Sequence, residues 1–583
     1  MRLLYLFVFI CFQCINGHAT NSPFQETEEL PAIYQGRIHP LSAVAKLWLY
    51  DFYHQEQLKS ADLTAFHTNT NSALDLLWKV HFLGHSRWDN APFFWIHHAE
   101  LKSLLGLNTT QDRFSFNELL PFYEKGTEEA SSYDKEKNRL LDALQLYKSY
   151  EGATLPDESL YDEPASVRLQ YAGPTLKMLP TRQGNKDWVS LHALKIKTYD
   201  PKLERLVPIS NFTPFSDAHF ESIRSAYLAI EAAIKNEKTD PKDLHQALVT
   251  FTEEMQEAYA LLVNTPYKTG KEKKLFYPSL MRLKAETWYY SFPLIQLAIG
   301  LYALALLLST NRHTFKYALI PLFLAFLTHS TILILRCYIL QRPPVSNMFE
   351  TVLYVPWIAM AVGIFFYFKS RSTLILLTGA FCSLALLIIL KLTLVDARFE
   401  NVQAVLDSQY WLTVHVLMVV GSYGAFVLSG ILGHLYLIYP LFPKKEDATA
   451  RKIAQAILHT MYIGVALLIP GTILGGVWAA ESWGRFWDWD PKESWAFISA
   501  CVYLLIIHAY TFQRIRDFGL AVGAVLGLIA ISFTWYGVNY ILGIGLHSYG
   551  FGSGGEHYYF AYLVGEALFL TGASLFKKSI EQK

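Results

Sequence analysis

Cysteine is scarce in this sequence, with five residues in 583, and residues 15–336 contain none. A disulfide-stapled scaffold is therefore excluded. Charge is scarce too, at 17% of residues, and neither sign is in excess: Lys+Arg and Asp+Glu each total 50. A nucleic-acid partner calls for a basic surplus, and none is present. Intrinsic disorder calls for low hydrophobicity with high net charge, whereas 52% of residues are hydrophobic and 15% aromatic.

The averages conceal two different halves. Residues 1–285 hold 66 of the charges, and residues 286–583 hold 34. The first half has soluble composition and the second has that of a polytopic membrane domain. At the start, Met1-Arg2, the apolar run Leu3–Ile15 and the small residues Gly17 and Ala19 describe a secretory signal over 1–19. An uncleaved anchor would have the same orientation, and either one exports the domain 20–285. Cys11 and Cys14 in that run have CxxC spacing, a weak redox signal inside a signal-like segment. The exported domain is expected to be mainly helical, with helices over 134–150, 217–236 and 241–263, Asp240-Pro241 as a cap and first turn, and 193–208 as the best strand candidate. His39, His97 and His98 are its candidate ligands, against the ordinary reading as surface or satisfied core residues.

Nine apolar runs follow between residues 290 and 576, most of them near the ~20 residues that cross a bilayer. The expected fold is thus an all-α polytopic membrane bundle of about nine spans, preceded by a mainly helical soluble exported domain. With that domain outside, the connections on the inner face carry 13 Lys and Arg residues and those on the outer face six: Arg336, Arg342, Lys391, Arg398, Arg485 and Lys492. The bias agrees with a cytoplasmic C-terminus and an external loop between the sixth and seventh runs.

That loop, 478–495, contains Trp478, Trp483, Trp487, Trp489 and Trp495. An interfacial aromatic belt is one reading. Asp490, Pro491 and Glu493 also have a structural account, as the cap, first position and capping-box acid of the next helix. The density of indoles goes beyond a belt and suggests a platform for a large flat apolar ligand, with Arg485 and Lys492 available to carboxylates on it. A porphyrin, a quinone or a lipid headgroup fits that description. His415, at the external start of the fifth run, and His547, before the ninth, flank the loop and are placed to ligate iron from two sides of a haem. His508 and His329 lie within runs, where an ionisable residue is a functional candidate. His508 is either a second haem ligand or a hydrogen-bonding partner of a neighbouring helix.

The segment Trp483-Gly-Arg-Phe-Trp-Asp-Trp-Asp-Pro-Lys-Glu-Ser-Trp-Ala-Phe497 resembles the tryptophan-rich WWD signature of haem-handling membrane proteins, and its ending resembles the CcsA (ResC) branch of system II cytochrome c biogenesis. Pro344-Val-Ser-Asn-Met-Phe-Glu-Thr351, His415-Val and 537–550 match that branch in the same order, over about 320–555. The resemblance implies that the loop holds haem b at the external face of a bacterial cytoplasmic membrane, with His415 and His547 as axial ligands and His508 as the intramembrane ligand. It implies haem delivery to exported apocytochromes bearing CxxCH, whose two thiols add across the vinyl groups. In fused relatives a ResB (CcsB) portion supplies the second intramembrane ligand; that portion is not recognisable here, so the resemblance implies a separate ResB-like partner or the use of His329. The chain contains no CxxCH and is not itself a c-type cytochrome. The other readings are a haem exporter or chaperone without lyase activity, and a quinone-binding membrane subunit.

Overall fold

The computed structural model describes residues 22–581 apart from 126–133, 151–173, 182–187, 201–204, 209, 211, 237–239, 264–265, 270–272, 312, 393–397, 400–407, 442–446 and 543–555. The signal-like segment 1–19, with Cys11 and Cys14, and His547 lie outside the described residues. The described chain divides into two compact units, one ending at Phe292 and one beginning at Pro293.

The first unit is mainly helical: α1 (Leu41–Tyr53), α2 (Ala73–Leu83), α3 (Ala99–Leu104), α4 (Phe116–Lys125), α5 (Asp134–Lys148), α6 (Asp217–Lys235), α7 (Pro241–Ala260) and α8 (Leu280–Ser291). Side-chain caps start several of them. Ser72, Ser216 and Ser279 accept from the backbone amides of Asp75, His219 and Arg282, and Asp240 accepts from Lys242 with Pro241 at the first position. Among the described residues the strands form only two-stranded antiparallel sheets. In the expected strand region, Lys197–Asp200 pairs with Arg205–Pro208, while Leu191–Lys195 is a 3-10 turn.

The core of this unit is aromatic. Trp48, Phe52, Phe93, Phe94 and Tyr147 meet mostly edge to face, the geometry their ring quadrupoles favour. The unit also buries a hydrogen-bonded chain of His81, His192, Tyr227 and Thr175. His192 Nε2 lies 2.9 Å from the carbonyl of His81, which can only accept, so Nε2 carries the proton. His192 Nδ1 then accepts from the Tyr227 hydroxyl at 2.8 Å, that oxygen accepts from His81 Nε2 at 3.0 Å, and His81 Nδ1 accepts from Thr175 at 2.8 Å. Both rings are neutral in this arrangement. Burial pushes His192 down to about 4 and His81 well below the usual histidine range, with Lys195 adding to the shift of His192. His39 is a core residue as well, bonded through Nδ1 to Glu286, which also takes both terminal nitrogens of Arg37. His97 stacks on Trp95, and no group of three metal-ligating side chains occurs among the described residues.

The second unit contains α9 (Leu294–Ser309), α10 (Phe315–Leu340), α11 (Met348–Ser370), α12 (Thr373–Leu392), α13 (Leu412–Leu441), α14 (Asp447–Trp483), α15 (Pro491–Thr511), α16 (Asp517–Leu542) and α17 (Glu556–Glu581). Eight of these are long and apolar enough to cross a bilayer, and α9, of 16 residues, counts as a ninth span only together with α8. Helix α13 is the most enclosed span. Its glycines admit neighbouring backbones: a Cβ on Gly424 would stand 2.6 Å from the Val355 carbonyl oxygen, and one on Gly433 would stand 2.8 Å from that of Ala521. Small residues at such crossings are how helices pack closely where water supplies no driving force. Next to Gly433, His434 of α13 meets Glu566 of α17 at 2.9 Å.

Three of the six basic residues read as external connections lie within helices instead: Arg336 in α10, Lys391 in α12 and Lys492 in α15. Arg336 is fully buried because Glu350, also fully buried, pairs with it at 3.0 Å, and Phe349 and Phe399 cover its guanidinium. Glu350 additionally accepts from the backbone amide and hydroxyl of Ser346, which fixes the turn before α11.

Candidate functional site

Helix α14 has 37 residues, roughly 55 Å at 1.5 Å per residue, well beyond the apolar thickness of a bilayer. Trp478 and Trp483 lie in its last turns. The chain turns there through Gly484, at φ +72°, and Trp489, at φ +55°, before α15 begins. Asp490 caps α15 by accepting from the Lys492 amide at 2.9 Å, and Glu493 completes the capping box. Glu493 does more than cap. It accepts from the amide of Asp488 at 2.9 Å and of Asp490 at 3.3 Å, and pairs with Arg485 at 2.9 Å. One carboxylate thus gathers the loop from 485 to 490.

Beside this loop lies an open cavity whose empty space, with the open solvent at its mouth included, is about 1390 Å³. Its walls come from five places: Val345–Met348 and Thr351 at the start of α11; Leu412, His415, Val416, Val419, Val420 and Tyr423 of α13; Thr472 to Trp483 along α14; Trp487, Lys492, Glu493 and Ala496; and Trp535 and Asn539 of α16. Both stretches of π-helix among the described residues, Leu412–Val416 and Phe533–Leu542, contribute to it. Such insertions are rare and frequently mark functional sites.

The sequence-derived candidates separate here. His415 lines the cavity, with its ring 5.9 Å from that of Trp478. Its Nδ1 lies 2.7 Å from the carbonyl oxygen of Gly471, so Nδ1 is the donor and the neutral ring keeps its basic nitrogen at Nε2. A backbone carbonyl on the other ring nitrogen is the usual support for a metal-ligating histidine. Trp478, Trp483 and Trp487 line the cavity, but Trp489 and Trp495 do not. Trp489 is 70% exposed, and Trp495 packs against Phe533 with ring centroids 4.2 Å apart. Arg485 sits 5.2 Å from the Trp483 ring and already pairs with Glu493, although its Nη2 and the indole nitrogen of Trp487 are buried donors without a partner. Lys492 lines the cavity while donating to Thr534 O at 3.0 Å and Asn539 Oδ1 at 3.2 Å.

His508 lies on the exposed side of α15, its Nδ1 donating to Leu504 O at 2.7 Å, and is not part of this cavity. His329 is fully buried, with Nε2 on Leu353 O at 2.9 Å and Nδ1 3.5 Å from the Tyr302 hydroxyl. Both of its nitrogens are engaged within the bundle, the pattern of a satisfied core residue. Sequence reasoning did not single out Glu493 as a loop organiser, Gly471 and Gly475 beneath His415, or the α11 start as a wall. The Pro344–Thr351 match was the signal for the last of these.

Comparisons with known proteins point the same way. The family described as Cytochrome C assembly protein matches residues 345–547, a span that includes every residue lining the cavity. Protein NrfI of Wolinella succinogenes is 30% identical over 425 residues, covering 67% of this chain and 45% of NrfI. The cytochrome c biogenesis protein CcsA of Guillardia theta is 30% identical over 235 residues, 36% of this chain and 76% of that protein. CcsA of Populus trichocarpa is 25% identical over 311 residues, 45% of this chain and 94% of that protein. The chain thus spans less than half of NrfI. The second unit is only half of this chain, so the NrfI match also reaches into the first.

Proposed function

The chain belongs to the CcsA family of cytochrome c biogenesis proteins, a membrane family that handles haem, and from that premise we propose that its cavity presents haem b, as cargo, for attachment to exported apocytochromes. The observation that carries this reading is His415, whose Nδ1–H is held by the Gly471 carbonyl while its ring lines a cavity walled by three indoles. An imidazole set in that tautomer takes iron at Nε2, and the carbonyl behind it strengthens the donor. The indoles of Trp478, Trp483 and Trp487 cover the macrocycle, and the Trp487 nitrogen and Arg485 Nη2 are donors suited to its carboxylates.

His547 supplies the second axial ligand on this reading. The thiols of a CxxCH acceptor add across the two vinyl groups, each S–H bond giving one C–S and one C–H bond. No nucleophile from this chain is needed. Its contribution is to hold the cargo so that vinyl and thiol meet. The aromatic loop faces the external side of a bacterial cytoplasmic membrane. His508, on an exposed helix face, binds haem in transit together with a ResB-like partner that covers that face.

The test is the absorption spectrum of the detergent-purified chain from a haem-replete host. We expect a Soret band with bis-imidazole features that is lost in the His415→Ala, His547→Ala double variant. A colourless wild-type protein refutes the reading. Co-expression with a CxxCH acceptor and a ResB-like protein separates attachment from carriage: haem-loaded chain without covalent cytochrome assigns it to transport alone.

A further inference from the structure

Helices α13 and α14 meet through two glycines one turn apart, and His415 lies over them. A Cβ built on Gly471 would stand 2.9 Å from Val419 Cγ2 and 3.2 Å from the Val419 nitrogen. One built on Gly475 would stand 2.5 Å from His415 Cε1, 2.9 Å from Nδ1 and 3.0 Å from Nε2. Three atoms of the imidazole are thus close to one point, so the ring rests flat on bare backbone at 475. One turn earlier, the Gly471 carbonyl takes the ring's Nδ1 proton at 2.7 Å. The next residue, Gly476, does the same for the aromatic loop: a Cβ there would be 2.7 Å from Phe486 Cζ.

We infer that Gly475 is a positioning residue for the cargo iron, a flat seat that holds His415 in its Nδ1–H tautomer. The inference rests on the haem reading proposed above. The ring cannot simply rotate away from a methyl group at 475, because it is hydrogen-bonded at Nδ1 and packed beside Trp478. It must lift or tilt, and either motion bends the bond to Gly471 out of the ring plane and weakens it. With that bond weakened, the Nδ1–H tautomer is less firmly fixed, and the ring loses its orientation and part of its basicity. Losing such an outer support typically weakens metal binding by about 10–100-fold.

The experiment titrates haemin into the full-length chain in detergent, for wild type and Gly475→Ala, with melting temperature, spectrum and midpoint potential recorded for each. The expected result is haemin affinity lower by about 10–100-fold, a mixed-spin spectrum, an altered potential and an unchanged melting temperature, with millimolar imidazole restoring the low-spin spectrum. Should Gly475→Ala fail to fold, the pair His415→Gly and His415→Gly/Gly475→Ala removes the clash and keeps the test. Imidazole then restores the low-spin spectrum of the first at lower concentration than that of the second. Identical affinity, spectrum and potential in wild type and Gly475→Ala, or equal imidazole rescue in the pair, overturns the seat and leaves the haem reading intact. A wild-type chain with no His415-dependent band overturns both.

Discussion

Replacing Glu493 tests whether one carboxylate organises the aromatic loop. In Glu493→Ala, the amides of Asp488 and Asp490 lose their acceptor, and Arg485 loses its closest partner. A hydrogen bond to a charged acceptor contributes ~1.5–3 kcal/mol. The Asp488 bond, at 2.9 Å but exposed, belongs at the low end, and the 3.3 Å Asp490 bond contributes less. The partly exposed ion pair adds at most ~1 kcal/mol. Together these come to about 3 kcal/mol, roughly a hundredfold in the ratio of ordered to disordered loop. Glu493→Gln keeps an acceptor oxygen without its charge and should lose about half of that energy, roughly tenfold. Two assays read the change on the full-length chain: hydrogen exchange of the amides from 484 to 492, and haemin titration. We expect faster exchange confined to the loop and weaker haemin binding in the order wild type, Gln, Ala, with the bundle's melting temperature little changed. Wild-type exchange and affinity in Glu493→Ala would refute the argument, because the loop would then be held by its helices alone.

Two further predictions concern buried polar groups. Glu350→Ala leaves Arg336 charged and uncompensated inside the bundle, and should destabilise the chain in detergent by about 3–5 kcal/mol. The double variant Arg336→Met/Glu350→Leu should recover most of that loss, and a thermal melt no better than that of Glu350→Ala would contradict it. In the first unit, burial holds the pKa values of His39, His81 and His192 below their unfolded values. Stability is therefore full above pH 6.5 and is lost as pH falls toward about 4, since only the unfolded chain takes up protons in that window. The His192 contribution lost by pH 5 is about 2 kcal/mol. Hydrogen exchange of the α2 amides between pH 7 and pH 5, corrected for intrinsic rates, should show protection falling accordingly. A pH-independent protection factor would contradict neutral, buried rings.

Much of the fold could be read from local signals because caps and apolar runs are local. Asp240-Pro241 and Asp490-Pro491 with Glu493 mark helix starts from a few adjacent residues, and the structure has a helix at each. Arg336 was read as a loop residue because hydropathy falls at a charge, whereas α10 continues through it with a carboxylate 14 positions away. The five tryptophans looked like one platform because an irregular loop has no period to sort its sides; three face the cavity and two do not. His508 could be placed at membrane depth, yet a helix apolar on all sides gives no indication of which face looks inward. The seat under His415 depends on two glycines some 60 residues from the histidine, a contact that only the α13–α14 crossing creates.

Lys492 has a mechanical consequence. By holding Thr534 O and Asn539 Oδ1, it buckles the start of α15 to the far end of α16. The aromatic loop is consequently a strap fastened at both ends, continuous with α14 on one side and pinned to α16 on the other. The width of the opening then follows from how far apart those two helices stand, which the close packing around α13 decides. On the haem reading proposed above, a planar cargo would enter that opening without rearranging the strap, and the bundle rather than the indoles would set the thickness admitted.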